Sequence, residues 1–172
     1  VPLGGDCDGL AKYYGTHLYE DPHSAVGEIE WGSYNFIHSR REVRCFLQSA
    51  ADYWVTEFHF DGRRMDAVSR LIYWQGDPAR GINGDTLDFL KNMNRGLKAR
   101  HPSAPLNAED PTAHPGVTRL AHEGGLGFDY KCDLGWMHEQ LECCLTQPAL
   151  RPRDPGITIR SIHYFDSETN LL

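Results

Sequence analysis

The chain has 172 residues, 40% hydrophobic and 24% charged, with 17 Lys and Arg against 24 Asp and Glu for a net charge of −7. That balance is globular rather than disordered. No apolar run approaches the ~20 residues of a membrane-spanning helix, and no basic surplus exists to neutralise a nucleic-acid backbone. Neither a membrane nor a nucleic acid is therefore an expected partner, and a neutral ligand fits better than a polyanion. At ~100–200 residues per domain, the length alone predicts one domain. The cysteines Cys7, Cys45, Cys132, Cys143 and Cys144 are odd in number and irregularly spaced. They do not read as a disulfide framework, and reduced thiols in a cytoplasmic protein are the expectation. No Cys-x-x-Cys and no His-Glu-x-x-His occurs, so no metal site is expected.

In chain order, the first 38 residues are rich in Gly, Tyr, His and Asp and show little periodicity. A loop of that length inside a compact domain tends to be functional. Ser39-Arg40-Arg41-Glu42 reads as a capping box. Behind it Val43, Phe46, Leu47, Ala50, Trp54 and Phe58 recur at three and four residues, predicting a helix to about Glu57 with Trp54 in the core. Residues 58–68, with Gly62, predict a short strand. Asp85 is the expected cap of a second helix through Phe89, Leu90, Met93 and Leu97, closed by His101-Pro102. Residues 105–109 predict a strand, followed by a loop with Pro111, Pro115 and Gly116. Residues 126–130 predict another strand and residues 134–145 a helix. Ile159, Ile162 and Phe165 repeat at helical spacing within residues 157–165. Helices alternating with short strands predict an α/β chain with a parallel sheet. In such folds chemistry collects at the C-terminal ends of strands, which directs attention to Asp66 and Glu109.

Along residues 61–68, strand alternation places Gly62, Arg64 and Asp66 on one face. A guanidinium beside Asp66 keeps it ionised, as a nucleophile requires. Glu109 ends the next predicted strand. If the two strands pair directly, their backbones lie ~4.8 Å apart, and the carboxylates approach the ~5–5.5 Å separation of retaining glycosidases rather than the ~6.5–9.5 Å of inverting ones. The same residues also read as an ordinary Arg–Asp pair and as two solvated loop acids, Glu109 and Asp110. Trp31, Trp74 and Trp136 fall in or beside predicted loops and offer flat apolar surfaces to sugar faces, or else core packing.

The motifs become specific when taken together. They are Gly15-Thr16-His17-Leu18-Tyr19-Glu20, Trp31-Gly32, Arg41-Glu42-Val43-Arg44, Phe60-Asp61-Gly62-Arg63-Arg64-Met65-Asp66-Ala67-Val68 and Ala108-Glu109-Asp110. Pro115-Gly116-Val117-Thr118-Arg119, Gly124-Gly125-Leu126-Gly127-Phe128-Asp129-Tyr130-Lys131 and Gly135-Trp136-Met137-His138 follow. In this order, over about residues 9–172, the chain resembles the central part of the catalytic domain of 1,4-α-glucan (glycogen) branching enzymes, in the α-amylase superfamily.

The resemblance implies a partial (β/α)8 TIM barrel holding about the middle strands and helices. Asp66 matches the nucleophile, Glu109 the general acid/base and Arg64 the arginine that holds Asp66. The family cleaves an α-1,4 linkage with retention and passes the chain to a 6-hydroxyl. No metal or organic cofactor is implied. A barrel typically needs about 250 residues, so residues 1–172 are expected to be a fragment of that domain, without the N-terminal carbohydrate-binding module or C-terminal β-sandwich. A third acid is expected shortly after Leu172, and an earlier Asp/His motif around Val1-Pro2. The fragment alone is then expected to be inactive or nearly so. A glycoside hydrolase of the same superfamily and a non-catalytic, truncated glucan-binding piece are the alternative readings. Tyr14, Arg63, Asn107, Pro111, His114 and Cys132 depart from the family pattern. Arg63 is expected to face the helix layer, whereas Asn107, inside the barrel with Glu109, needs a hydrogen-bond partner.

Overall fold

The computed structural model describes residues 15–23, 27, 29, 32–132, 134–145 and 168–171. The helix expected within residues 157–165 lies outside them, as does Trp31, and the side chain of Trp136 is likewise not described. The elements run α1 (Arg41–Phe58), β1 (Arg63–Met65), α2 (Val68–Ile72), α3 (Gly84–Arg100), β2 (Leu106–Glu109), β3 (Tyr130–Cys132), α4 (Leu134–Leu145) and β4 (Asn170–Leu171). The strands form one sheet in the order β1-β2-β3-β4, and every pairing is parallel. The α/β parallel expectation holds.

One face of the sheet builds the core. Leu106 and Ala108 alternate with Asn107 and Glu109 along β2, and only the first pair is buried. Phe89, Leu90, Met93 and Leu97 of α3 cover that face with Val68 and Ile72 of α2, the i, i+4 stripe the sequence predicts. The cap of α3 is Asn83, whose side chain accepts from the Thr86 N–H at 3.3 Å, and Asp85 sits in the first turn. There its charge favours the positive end of the helix. For α1 the expected capping box is not formed: the N-cap is Arg40, with no side-chain cap bond.

The apolar stripe of α1 is mostly at the surface. Val43 is fully buried, but Phe46, Trp54 and Phe58 are 53%, 45% and 56% exposed. Trp54 is thus not a core residue; it packs edge-to-face on Tyr53 and Phe60 and at a tilt on Phe58 in an exposed aromatic cluster. Helical periodicity identifies an apolar face, but not whether a neighbour covers it.

Residues 110–129 join β2 to β3 with no α-helix, only a 3-10 turn at Ala121–Glu123. Val117, Leu126 and Phe128 from this segment enter the common core. That accounts for the shifted strand. Leu126 and Phe128 alternate like strand residues and are buried like them, yet the ladder with β2 starts at Tyr130. Glu168, just before β4, holds the segment. Its carboxylate accepts from the backbone N–H groups of Gly116, Val117 and Thr118 at 2.6, 3.0 and 2.7 Å, and from the Thr118 hydroxyl at 2.5 Å. Successive N–H groups converging in this way form an anion nest, and Gly116, at φ 77°, supplies the left-handed backbone it needs.

The Glu168 carboxyl sits below its ordinary range. Burial alone would raise it, and the Thr118, Val117 and Gly116 donors together outweigh burial. A depressed folded pKa adds stability above the unfolded value and loses it as pH falls through the folded one. Glu168→Ala is expected to cost about 2–3 kcal/mol at neutral pH, as for a carboxylate removed from partly buried donors. In urea titrations the gap between parent and variant should close as the pH is taken below about 4.

Candidate active site at the ends of the first two strands

The β1–β2 register places Arg64 beside Asn107 and Met65 beside Ala108. One step further along both strands, Asp66 arrives beside Glu109. Asp66 is already in the turn after β1, and Ala67 follows it in the left-handed region at φ 49°, ψ 46°. A non-glycine residue held there costs ~1–3 kcal/mol and persists only where its surroundings enforce it. Here it turns the chain sharply into α2 and directs the Ala67 N–H toward Glu109.

Arg64 links the two acids. Its Nη2 donates to Glu109 Oε2 at 2.7 Å, and its Nε lies 3.1 Å from Asp66 Oδ1. The guanidinium expected to serve Asp66 is therefore shared, with its shorter contact on Glu109. The Arg64 hydrogen bond is the main reason the Glu109 carboxyl lies below its usual range. Burial opposes it, and the Arg64 charge and the Ala67 N–H reinforce it. Side-chain exposure is 77% for Asp66, 57% for Arg64 and 25% for Glu109, so Glu109 is the more enclosed acid. Two oxygen acids on adjacent strands, joined by one cation, can divide nucleophilic attack and proton transfer between them. In this unliganded arrangement Glu109 is held in its ionised, proton-accepting form.

The surroundings explain several unusual residues. Asn107 shares Glu109's face, and its Oδ1 accepts from Cys132 Sγ at 3.5 Å. Arg63 points the other way, and its Nη2 donates to the Ala50 carbonyl of α1 at 3.3 Å. His114 Nδ1 lies 3.1 Å from the Tyr73 hydroxyl. Trp74 is 38% exposed in a 3-10 turn and borders a groove with Tyr73, His38 and Asp85. The Trp136 backbone belongs to α4.

Sequence reasoning missed the Ala67 geometry, the Glu168 nest and the role of Asp110. Asp110 is not a solvated loop acid. It is 1% exposed and pairs with Lys131 Nζ at 3.1 Å. The signal was present in the alternation Leu106, Ala108, Asp110, which puts Asp110 on the core face. Among the described residues, no helix is long and apolar enough to cross a membrane, and no group of three or more His, Cys, Asp or Glu is placed to hold a metal ion.

The maltogenic alpha-amylase AmyB of Thermotoga neapolitana shares the fold, with a TM-score of 0.52 at 18% identity over 83% of this chain and 28% of that one. No protein-family model matches. Whole-chain sequence similarity is more specific. The 1,4-alpha-glucan branching enzyme GlgB of Fusobacterium nucleatum subsp. nucleatum is 41% identical over 167 residues, covering 97% of this chain and 27% of the relative. Those of Nitratidesulfovibrio vulgaris and Cutibacterium acnes are 40% and 38% identical, covering 97% and 95% of this chain. The chain belongs to the 1,4-alpha-glucan branching enzyme family, and spans about a quarter of the length of these curated relatives.

Replacing Arg64 by Met should release Glu109. Its carboxyl pKa, followed by carbon-13 NMR, is expected to rise toward the ordinary range. An unmoved titration would mean that the guanidinium does not control this acid.

Proposed function

We propose that residues 1–172 are a central portion of a catalytic (β/α)8 domain that remodels glycogen-type α-glucans in the cytoplasm, with Asp66 and Glu109 as its catalytic acids. Asp66 Oδ attacks the anomeric carbon while Glu109 gives its proton to the departing α-1,4 glycosidic oxygen, leaving a glycosyl ester on Asp66. Glu109, now ionised, takes the proton of a 6-hydroxyl whose oxygen displaces Asp66. Two inversions give net retention and a new α-1,6 branch. Arg64 orients Asp66 by its planar fork, and Trp31, Trp74 and Trp136 are the flat surfaces for sugar rings. The observation that carries this reading is the shared Arg64 guanidinium between Asp66 and Glu109 at the ends of adjacent parallel strands.

The test is a chimaera in which this chain replaces the matching segment of the Fusobacterium nucleatum relative. New α-1,6 linkages without growth in reducing ends are expected; growth in reducing ends would instead indicate a hydrolase. In that chimaera Asp66→Asn should leave less than ~1% of turnover, since the covalent step is lost. Glu109→Gln should cost about 10²–10⁴-fold, the usual contribution of a positioned acid/base. Arg64→Lys should also be strongly impaired, because lysine lacks the fork. A robustly active Asp66→Asn variant would remove Asp66 from the mechanism.

A further inference from the structure

We propose that the Asp110–Lys131 ion pair is a positioning device for Glu109: it pins the backbone at the end of β2 so that Glu109 is presented to Arg64 on the opposite face. The inference rests on the reading of Glu109 as a working acid.

Asp110 directly follows Glu109 and leaves the strand on the face of Leu106 and Ala108, whereas Glu109 shares the face of Asn107. Lys131 lies on β3 in register with Ala108, so its side chain rises beside Ala108 toward the end of β2. Its Nζ meets Asp110 Oδ2 at 3.1 Å and donates to the Thr112 carbonyl at 2.6 Å. The other Asp110 oxygen accepts from the Thr112 N–H at 3.0 Å and the Thr112 hydroxyl at 2.8 Å. The side chains of Lys131 and Asp110 are 11% and 0% exposed. Every polar atom of the pair is thus engaged in a nearly dry site.

That location is costly for two charges. A buried ion pair is often no more stabilising than apolar residues of the same volume, whereas removing one partner strands the other. Its distinctive property is geometric. An apolar residue at position 110 would tolerate rotation about the backbone, but a carboxylate fixed by an ammonium, a backbone N–H and a hydroxyl does not. Because successive strand side chains point to opposite faces, fixing residue 110 fixes the direction of residue 109. Small errors there matter, since a hydrogen bond as short as that between Arg64 and Glu109 weakens steeply with misalignment.

The experiment uses the 172-residue chain and reads Glu109 directly, so it does not depend on catalysis. The carbon-13 titration of the Glu109 carboxyl is followed in the parent, in Asp110→Leu with Lys131→Met, in Asp110→Asn and in Lys131→Arg. The paired apolar variant removes both charges together and avoids a stranded ion. If the pair positions Glu109, its pKa rises by about half a unit or more, a threefold weaker acid, in the apolar double variant and in Asp110→Asn. Lys131→Arg stays near the parent, and circular dichroism shows the fold retained. An unmoved Glu109 in a folded double variant overturns the proposal. So does loss of the whole fold in both the double variant and Asp110→Asn, which would make the pair a support of the sheet at large. Inactivity of the Asp66 and Glu109 assignments in the chimaera would leave this titration unchanged, so the two failures are separable.

Discussion

The parallel register between β1 and β2 is the constraint on which the site depends. With Met65 paired to Ala108, the next residues are Asp66 and Glu109. Neither acid needs a long side chain or a flexible loop to find the other. A slip of one residue would turn every side chain of a strand to the opposite face, moving Glu109 into the core and Leu106 to the open side. Burial of Leu106 and Ala108 under α2 and α3 therefore enforces the register, and the hydrophobic core sets the geometry of the two acids without touching them. Ala67 completes the arrangement by ending β1 abruptly, so that Asp66 stands at the rim.

Much of this was legible in the chain. The 3.6-residue period gave α3 and α4, and the two acids fell at the ends of predicted strands. What was not legible depends on neighbours distant in sequence. The stripe from Phe46 to Phe58 marks an apolar face, but exposure is decided by what packs against it. Leu126 and Phe128 have the alternation of a strand, yet their backbone partners are Gly116 and Val117 of the same segment. Asp110 looked like a loop acid because its partner, Lys131, comes from the next strand. Asn83 outcompeted Asp85 as a cap because its side chain reaches the Thr86 N–H from outside the helix, a one-turn geometry that residue type alone does not distinguish.

Four of the residues expected to depart from the family pattern have local partners in the structure. Asn107 and Cys132 lie across the β2–β3 pairing on the open face and satisfy each other, so a polar side chain and a small one arrive together. Arg63 reaches a carbonyl of α1 while its Nε is buried without a partner, and burial lowers its pKa. Its stem packs and one end is satisfied, which is how a long basic side chain is accommodated in a helix layer. His114 borrows the Tyr73 hydroxyl. Arg63, Asn107, His114 and Cys132 thus each find a local partner, while Tyr14 lies outside the described residues.

On the proposed function Glu109, ionised in the unliganded site, has to become an acid for glycosidic cleavage, and the charge count supports a route. Arg64 offers one positive charge to two carboxylates, both partly in water. On that reading a glucan chain seated over them would displace that water, and two carboxylates in a drier site no longer ionise independently. One proton relieves the excess. In the proposed mechanism Asp66 attacks as a carboxylate, which leaves Glu109 to carry the proton. The enclosed position of Glu109, 25% exposed, suits the proposed acid role, because burial disfavours its charged form.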